Sequence, residues 1–120
     1  MSKILLILTL GALSLAAQDA TGKWSGTLIR LDADSDGTSR PAYLVLKQEG
    51  TKLTGTAGPN ANEQFEFSDG KAEGGHLTFK LTEKSMAFDL KQNGDEISGE
   101  ITNEQDGQTR KAKILVKRQI

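Results

Sequence analysis

Apolar and polar side chains alternate along most of this chain, and this alternation restricts the fold more than any other feature. The alternating segments recur about every ten residues, with turn-forming residues between them, as in antiparallel strands joined by tight turns. Helical periodicity is nearly absent after residue 18. We therefore predict eight strands, at Gly22–Leu31, Pro41–Glu49, Thr51–Gly58, Glu63–Glu73, His76–Thr82, Ser85–Asn93, Asp95–Asn103 and Gln108–Arg118.

Two turn signals bear directly on the strand count. Asn93-Gly94 is the strongest hairpin signal, because both central residues of a type I′ turn need a positive φ. Asp69-Gly70 instead falls inside the predicted strand Glu63–Glu73. An Asp-Gly pair at that place either bulges the strand or splits it in two, which would make nine strands.

Every predicted strand has one apolar face. Since alternate side chains point to opposite sides of a strand, these faces can line one common core. Short connections between sequential strands favour an up-and-down meander, and eight such strands can close into an antiparallel barrel that leaves no exposed edge. We therefore predict an all-β, single-domain barrel over residues 18–120.

The first 17 residues have a different composition. Lys3 is followed by an apolar run from Ile4 to Leu15, and Ser14-Leu15-Ala16-Ala17 supplies the small residues that signal peptidase needs. This pattern predicts a signal peptide at residues 1–17, cleaved after Ala16 or Ala17, and hence a secreted or periplasmic protein. The run is shorter than the roughly 20 apolar residues of a membrane span, so we expect no membrane insertion of the mature chain.

Charge and cysteine content exclude several kinds of partner and chemistry. Cleavage would remove Lys3 and leave 14 basic and 16 acidic residues, a formal charge of −2. A charge so close to neutral predicts no bulk attraction to nucleic acid. We also expect the mature protein to be a monomer. The chain has no cysteine, which excludes disulfides, thiol catalysis and Cys-ligated metals.

The start of the first predicted strand, Thr21-Gly22-Lys23-Trp24, carries the G-x-W motif, and the chain resembles the lipocalins and the wider calycin group. The resemblance implies that Trp24 closes one end of the barrel and is covered by a basic residue of the last strand, Arg118 or else Lys117. The chain is shorter than a typical lipocalin and lacks a disulfide, a clear T-D-Y motif and a C-terminal helix. It is more similar to the small lipocalin-like domains of secreted bacterial proteins.

The barrel interior is the first candidate site. Eight-stranded barrels either fill with side chains or hold one small ligand, and the sequence leaves both outcomes open. Inward-facing glycines such as Gly26, Gly55 and Gly99 are expected to leave space, whereas the large apolar residues occupy it. A pocket would take a small apolar ligand. The residues expected to line it are Trp24, Leu28, Leu44, Leu46, Phe65, Phe67, Phe79, Met86, Phe88, Ile114 and Arg118.

Two arginines near strand ends, Arg30 and Arg110, also have inward parity. A cation at a barrel mouth can pair with a carboxylate on a ligand. A strand-end arginine can equally extend its head group to water.

The segment Asp32-Ala33-Asp34-Ser35-Asp36-Gly37 is the sharpest local motif. Carboxylates of Asp32, Asp34 and Asp36, followed by glycine, match the first half of a calcium-binding loop. Tyr43 stands where the second half needs a bidentate glutamate. The segment is thus a candidate calcium site or a solvated loop, and no other cofactor is indicated.

No catalytic constellation is evident. His76, the single histidine, has outward parity and cannot build a multi-His metal site alone. We therefore expect a binding protein rather than an enzyme. The alternative is a filled-core interaction protein, an inhibitor or envelope adaptor, that acts through the loops Asp32–Pro41 and Pro59–Asn62 or through its outer face.

Overall fold

The computed structural model describes residues 19–31 and 39–119. The predicted signal peptide at residues 1–17 lies outside the described residues, and so does the aspartate-rich segment 32–37. The strands are β1 Gly22–Arg30, β2 Ser39–Glu49, β3 Lys52–Asn60, β4 Glu63–Glu66, β5 Ser68–Glu73, β6 His76–Leu81, β7 Met86–Asn93, β8 Glu96–Gln105 and β9 Gln108–Arg118. Within these ranges the only helical element is a single 3₁₀ turn, Thr82–Lys84.

The strands close into an antiparallel up-and-down barrel. Strands that follow one another in sequence are paired, except β4 and β5, which both pair with β3 and not with each other. The barrel closes between β1 and β9, in a register that runs from Trp24 opposite Arg118 to Arg30 opposite Ala112. The predicted antiparallel up-and-down barrel is therefore confirmed. It is built from nine strands, one more than the eight predicted, because the predicted strand Glu63–Glu73 is split in two.

The additional strand begins just before the Asp-Gly pair. The predicted strand Glu63–Glu73 is split into β4 and β5 at Phe67, whose backbone N–H donates to the Gly55 carbonyl at 3.2 Å. Asp69 then adopts a φ of 57°, and the register between β5 and β6 shifts between Ser68 and Lys71. Aspartate tolerates this left-handed conformation, so the Asp-Gly pair marks the bulge in β5, whereas the split lies at Phe67.

The inward faces follow the predicted parity. The buried core contains Leu44 and Leu46 of β2, Leu77 and Phe79 of β6, and Ile114 of β9, among others. The outward residues of the same strands are mostly exposed. Period-two alternation therefore identified the core side of these strands. It fails in β5, where the bulge at Asp69 moves the buried position to Ala72, out of step with Phe65 and Phe67.

The inward glycines do not leave the space that the sequence suggested. A Cβ added at Gly26 would lie 2.0 Å from the Leu115 carbonyl oxygen, and one at Gly55 would lie 1.9 Å from the Val45 carbonyl oxygen. The backbone of the neighbouring strand already occupies each position. These glycines allow close approach of strands rather than forming a cavity, and the expectation that they leave room is wrong.

Candidate functional site: a closed end and an open cavity

Trp24 closes one end of the barrel. Its side chain is fully buried, and its indole Nε1 donates to the Ala20 carbonyl oxygen at 2.9 Å. The Arg118 guanidinium carbon lies 4.3 Å from the centre of the Trp24 ring, within the range of a cation–π contact. Of the two residues that the resemblance offered, the structure thus places Arg118 over the tryptophan, while Lys117 is exposed.

Arg118 also fastens the chain just before β1 to the rest of this end. Its Nη2 donates to the Asp19 carbonyl at 2.9 Å, its Nη1 donates to the Thr21 carbonyl, and its Nε donates to Asp95 Oδ1 at 2.8 Å. These bonds join β9, the β7–β8 turn and residues 19–21. A methionine or glutamine at position 118 could not make all three, because they use separate N–H groups of the guanidinium fork.

Two glutamines also hold residues 19–21. The Ala20 N–H donates to Gln48 Oε1 at 2.9 Å, and Gln92 Nε2 donates to the Asp19 carbonyl at 3.0 Å. Gln92 is buried, and its Oε1 has no hydrogen-bond partner among the described residues. Ala20 is completely buried as a result, so this segment forms the floor of the barrel.

Asp19 contributes a pH-dependent contact to this floor. Hydrogen bonds from the Thr21 side chain and backbone, and then the positive charge of Arg118, hold the pKa of the Asp19 carboxyl below its ordinary value of 3.8. When folding lowers the pKa of a carboxyl, the ionised group stabilises the folded state at pH values above the pKa that it has in the unfolded chain. That contribution is lost as the pH falls through the folded-state pKa.

We therefore expect Asp19→Asn to reduce stability slightly near pH 7, by less than about 1 kcal/mol because the group is exposed. The difference from wild type should vanish at about pH 2, where the wild-type carboxyl is itself neutral. Thermal unfolding of both proteins at the two pH values measures this. Asp106→Asn, at the other end of the barrel, is the control for loss of one carboxylate. If Asp19→Asn were still less stable than wild type at about pH 2, the role of the ionised Asp19 carboxyl would be contradicted.

Three stacked phenylalanines fill the middle of the barrel. The ring centres of Phe67 and Phe79 are 4.0 Å apart, and those of Phe79 and Phe88 are 4.4 Å apart, with interplanar angles of 21° and 20°. Contacts between stacked aromatic rings add to the free energy of simple burial. The stack separates the Trp24 end from the space at the other end.

That space is an apolar cavity of about 400 Å³. Its charged lining residues, Arg40, Glu63 and Lys84, are exposed and mark the mouth, at the end of the barrel opposite Trp24. Six of the residues predicted to line a pocket do so: Leu28, Leu44, Phe65, Met86, Phe88 and Ile114. Leu46, Phe67 and Phe79 are instead packed in the core, and Trp24 and Arg118 lie at the closed end.

Sequence reasoning missed several residues of the lining. Ala42, Ala57, Leu81 and Ile101 complete its apolar wall, and all four have inward parity that could have identified them. Arg40 was missed because the second strand was expected to begin at Pro41, whereas β2 begins at Ser39. Glu63 has the same inward parity as Phe65, so the alternation rule could also have identified it as a lining residue.

Lys84 is held above the cavity wall. Its Nζ lies 4.4 Å from the centre of the Phe65 ring. Its carbonyl accepts a hydrogen bond from Asn103 Nδ2 at 2.7 Å, which ties the 3₁₀ turn to β8. The ammonium group is therefore positioned over an apolar ring at the mouth.

The remaining sequence candidates are the aspartate-rich segment and His76. Asp32, Asp34 and Asp36, the calcium candidates, lie outside the described residues, and residues 19–31 and 39–119 contain no cluster of three potential metal ligands. His76 is exposed on the outer wall, with its Nε2 2.6 Å from Asp89 Oδ1. No helix in the described part of the chain is long and apolar enough to span a bilayer.

Comparisons of this chain with family models, with curated proteins and with solved structures each gave no match.

Proposed function

We propose that this chain is a non-catalytic, lipocalin-like binding protein of the periplasm or cell exterior that holds a small apolar molecule inside its barrel. The observation that carries the proposal is the apolar cavity of about 400 Å³ at the open end. Its size falls within the range of roughly 300–1,000 Å³ that is typical of ligand pockets. The G-x-W start of β1 and the Arg118–Trp24 contact support the lipocalin-like assignment.

The lining determines what this cavity can bind. Its deep wall consists of aliphatic and aromatic side chains such as Leu44, Phe88 and Ile114, which offer water few hydrogen bonds. A ligand would displace this poorly bonded water and bury apolar surface, at about 25 cal/mol per Å². At about 30 Å³ for each non-hydrogen atom, as in liquid water, the space of about 400 Å³ suits on the order of a dozen such atoms.

Native mass spectrometry of the exported protein, purified without detergent and then offered decanol, tests the proposal. We expect a bound mass that is removed by solvent extraction and restored by decanol. Ala57→Leu should abolish this uptake, because Ala57 is buried and lines the cavity. Ala87→Leu makes the same change on the outer face of β7, where Ala87 is exposed, and should leave uptake intact. A clean apo mass with no uptake would contradict the proposal.

The alternative function, a filled-core interaction protein, has two observations in its favour. The Phe67–Phe79–Phe88 stack fills the middle of the barrel, and Ile29, Leu31 and Leu115 are 40%, 48% and 43% exposed on adjacent strands or their ends. Absence of any ligand uptake in the experiment above would favour this alternative and direct attention to the outer wall and loops.

A further inference from the structure

The turn between β7 and β8 places an asparagine directly before a glycine. Asn93 is the last residue of β7 and is exposed, and Gly94 follows it with a φ of 66°. A Cβ added at Gly94 would meet nothing within 4 Å. Because glycine has no side chain, its backbone nitrogen is the least hindered nucleophile that can follow an asparagine amide. The Gly94 nitrogen is therefore open to reaction with the Asn93 side chain.

Hydrogen bonds do not restrain either reacting group. In the part of the chain that the structure describes, the Asn93 side-chain amide makes no hydrogen bond, and the Gly94 N–H makes none either. The backbone of Asn93 pairs with Glu96, the last register pair before the turn. Only this end of the ladder has to open for the Asn93 amide carbon to approach the Gly94 nitrogen.

The other asparagines of the chain are less suited to the same reaction. Asn60, Asn62 and Asn103 are each followed by a residue that has a side chain. Asn103 Nδ2 also donates to the Lys84 carbonyl at 2.7 Å, and Asn60 Oδ1 accepts from the Asn62 N–H at 2.9 Å. Only Asn93 combines a following glycine with an unrestrained amide.

The residues that follow this asparagine hold the barrel floor. The Gly94 carbonyl accepts from Gln92 Nε2 at 3.1 Å, and the same nitrogen donates to the Asp19 carbonyl at 3.0 Å. Asp95 binds Arg118 twice, through its Oδ1 at 2.8 Å and through its carbonyl oxygen, which accepts from the Arg118 N–H at 2.9 Å. A change in the length of this turn would therefore be transmitted to the floor.

We propose that Asn93 is a site of spontaneous deamidation and that the isoaspartate formed there loosens the barrel floor. The Gly94 nitrogen loses its proton to solvent and attacks Asn93 Cγ; a new C–N bond forms, the bond from Cγ to Nδ2 breaks, and ammonia leaves. Water then opens the cyclic imide at either carbonyl, which gives aspartate or isoaspartate. No oxidant or reductant is needed. This inference goes beyond the proposed binding function and does not depend on it.

The two products differ in their effect on the turn. Isoaspartate carries the main chain through the former side-chain methylene, which lengthens the turn and displaces the Gly94 carbonyl and Asp95 from their partners. Aspartate leaves the main chain unchanged and places a carboxylate directly opposite Glu96, where like charges are unfavourable. The isoaspartate form is therefore expected to be the less stable of the two.

Incubation of the folded protein in mildly alkaline buffer tests the reaction, with peptide mapping and fragment sequencing at each asparagine. We expect conversion at Asn93 ahead of Asn60, Asn62 and Asn103, at a rate that does not depend on protein concentration, because the attack is intramolecular. Asn93→Ser should abolish it. Asn62→Ser, the same change at another exposed turn, should leave it as in wild type. If Asn93 stays intact while a synthetic peptide of residues 90–97 converts, the ladder protects the turn and the proposal is overturned.

The effect on the floor is measured on the separated products. The isoaspartate form should unfold at a lower urea concentration than Asn93→Asp, which has the aspartate product's normal main chain. Its Trp24 emission should also shift to longer wavelength, because Trp24 is buried beneath Arg118 at this end of the barrel. Identical urea midpoints and emission spectra for the isoaspartate form and Asn93→Asp would overturn the proposed link between this turn and the floor.

Discussion

Replacing Trp24 with alanine is expected to lower the free energy of unfolding by about 3–5 kcal/mol, the usual cost of truncating a large buried aromatic residue. Trp24 is completely buried, stacks under Arg118 and donates a hydrogen bond to the Ala20 carbonyl. Its removal leaves a void at the floor and an unpaired carbonyl. Because Trp24 is the only tryptophan, urea unfolding should be followed by far-UV circular dichroism.

Trp24→Phe is the control that separates packing from hydrogen bonding. Phenylalanine keeps an aromatic ring beneath Arg118 but cannot donate to the Ala20 carbonyl, so the loss should be clearly smaller than for alanine. Ligand binding by the folded phenylalanine variant should be unchanged, since Trp24 does not line the cavity. A Trp24→Ala variant as stable as wild type would show that this residue does not close the barrel.

Phe79→Ala is expected to cost about 3–5 kcal/mol as well, and in addition to change ligand preference. Phe79 is the central ring of the stack, with Phe67 at 4.0 Å and Phe88 at 4.4 Å. Truncation removes both ring contacts. It also extends the cavity beyond Phe88, one of the lining residues, towards the Trp24 end of the barrel. Urea unfolding measures the first effect, and titration with decanol and tetradecanol measures the second.

The folded Phe79→Ala protein should favour tetradecanol over decanol more strongly than wild type does. Phe65→Ala is the matched control, because Phe65 is only half-buried and lies at the mouth. Because Phe65 lines the cavity at its mouth rather than at its bottom, its truncation should cost less stability and change the preference for tetradecanol less than Phe79→Ala does. Equal losses for the two variants, with no change in preference, would mean that the stack does not form the bottom of the cavity.

Most of the fold could be predicted from local patterns. Alternation identified the inward face of the strands other than β5. Asn93-Gly94 marked a hairpin that the register of β7 and β8 confirms, but Asn93 pairs with Glu96 and only Gly94 has a positive φ, of 66°, so the expected pair of central residues is wrong. The beginning of β2 was misjudged because Pro41 cannot donate a ladder hydrogen bond. In the structure, β1 still pairs with β2 beyond Pro41 as far as Ser39, whereas β3 pairs with β2 only from Tyr43 onward.

The cavity was harder to predict because it depends on three-dimensional packing. Parity places Phe67, Phe79 and Phe88 inside the barrel, but it does not show that they stack on one another and concentrate bulk in the middle. It also cannot show that a neighbouring strand fills the space beside Gly26 or Gly55. Both effects set where the free volume lies, so sequence reasoning could not decide between a filled and a hollow barrel.

Nuclear magnetic resonance of two natural reporters tests the central claim most directly. Met86 lines the cavity and shares its residue type only with Met1, while Trp24 is the only tryptophan and lies at the opposite end. A Met86→Leu variant assigns the Met86 methyl signal. On titration with decanol, ligand binding in the cavity predicts a saturable shift of that signal and an unchanged Trp24 indole N–H. An unchanged Met86 methyl, or a larger shift at Trp24, would contradict a ligand site at the open end.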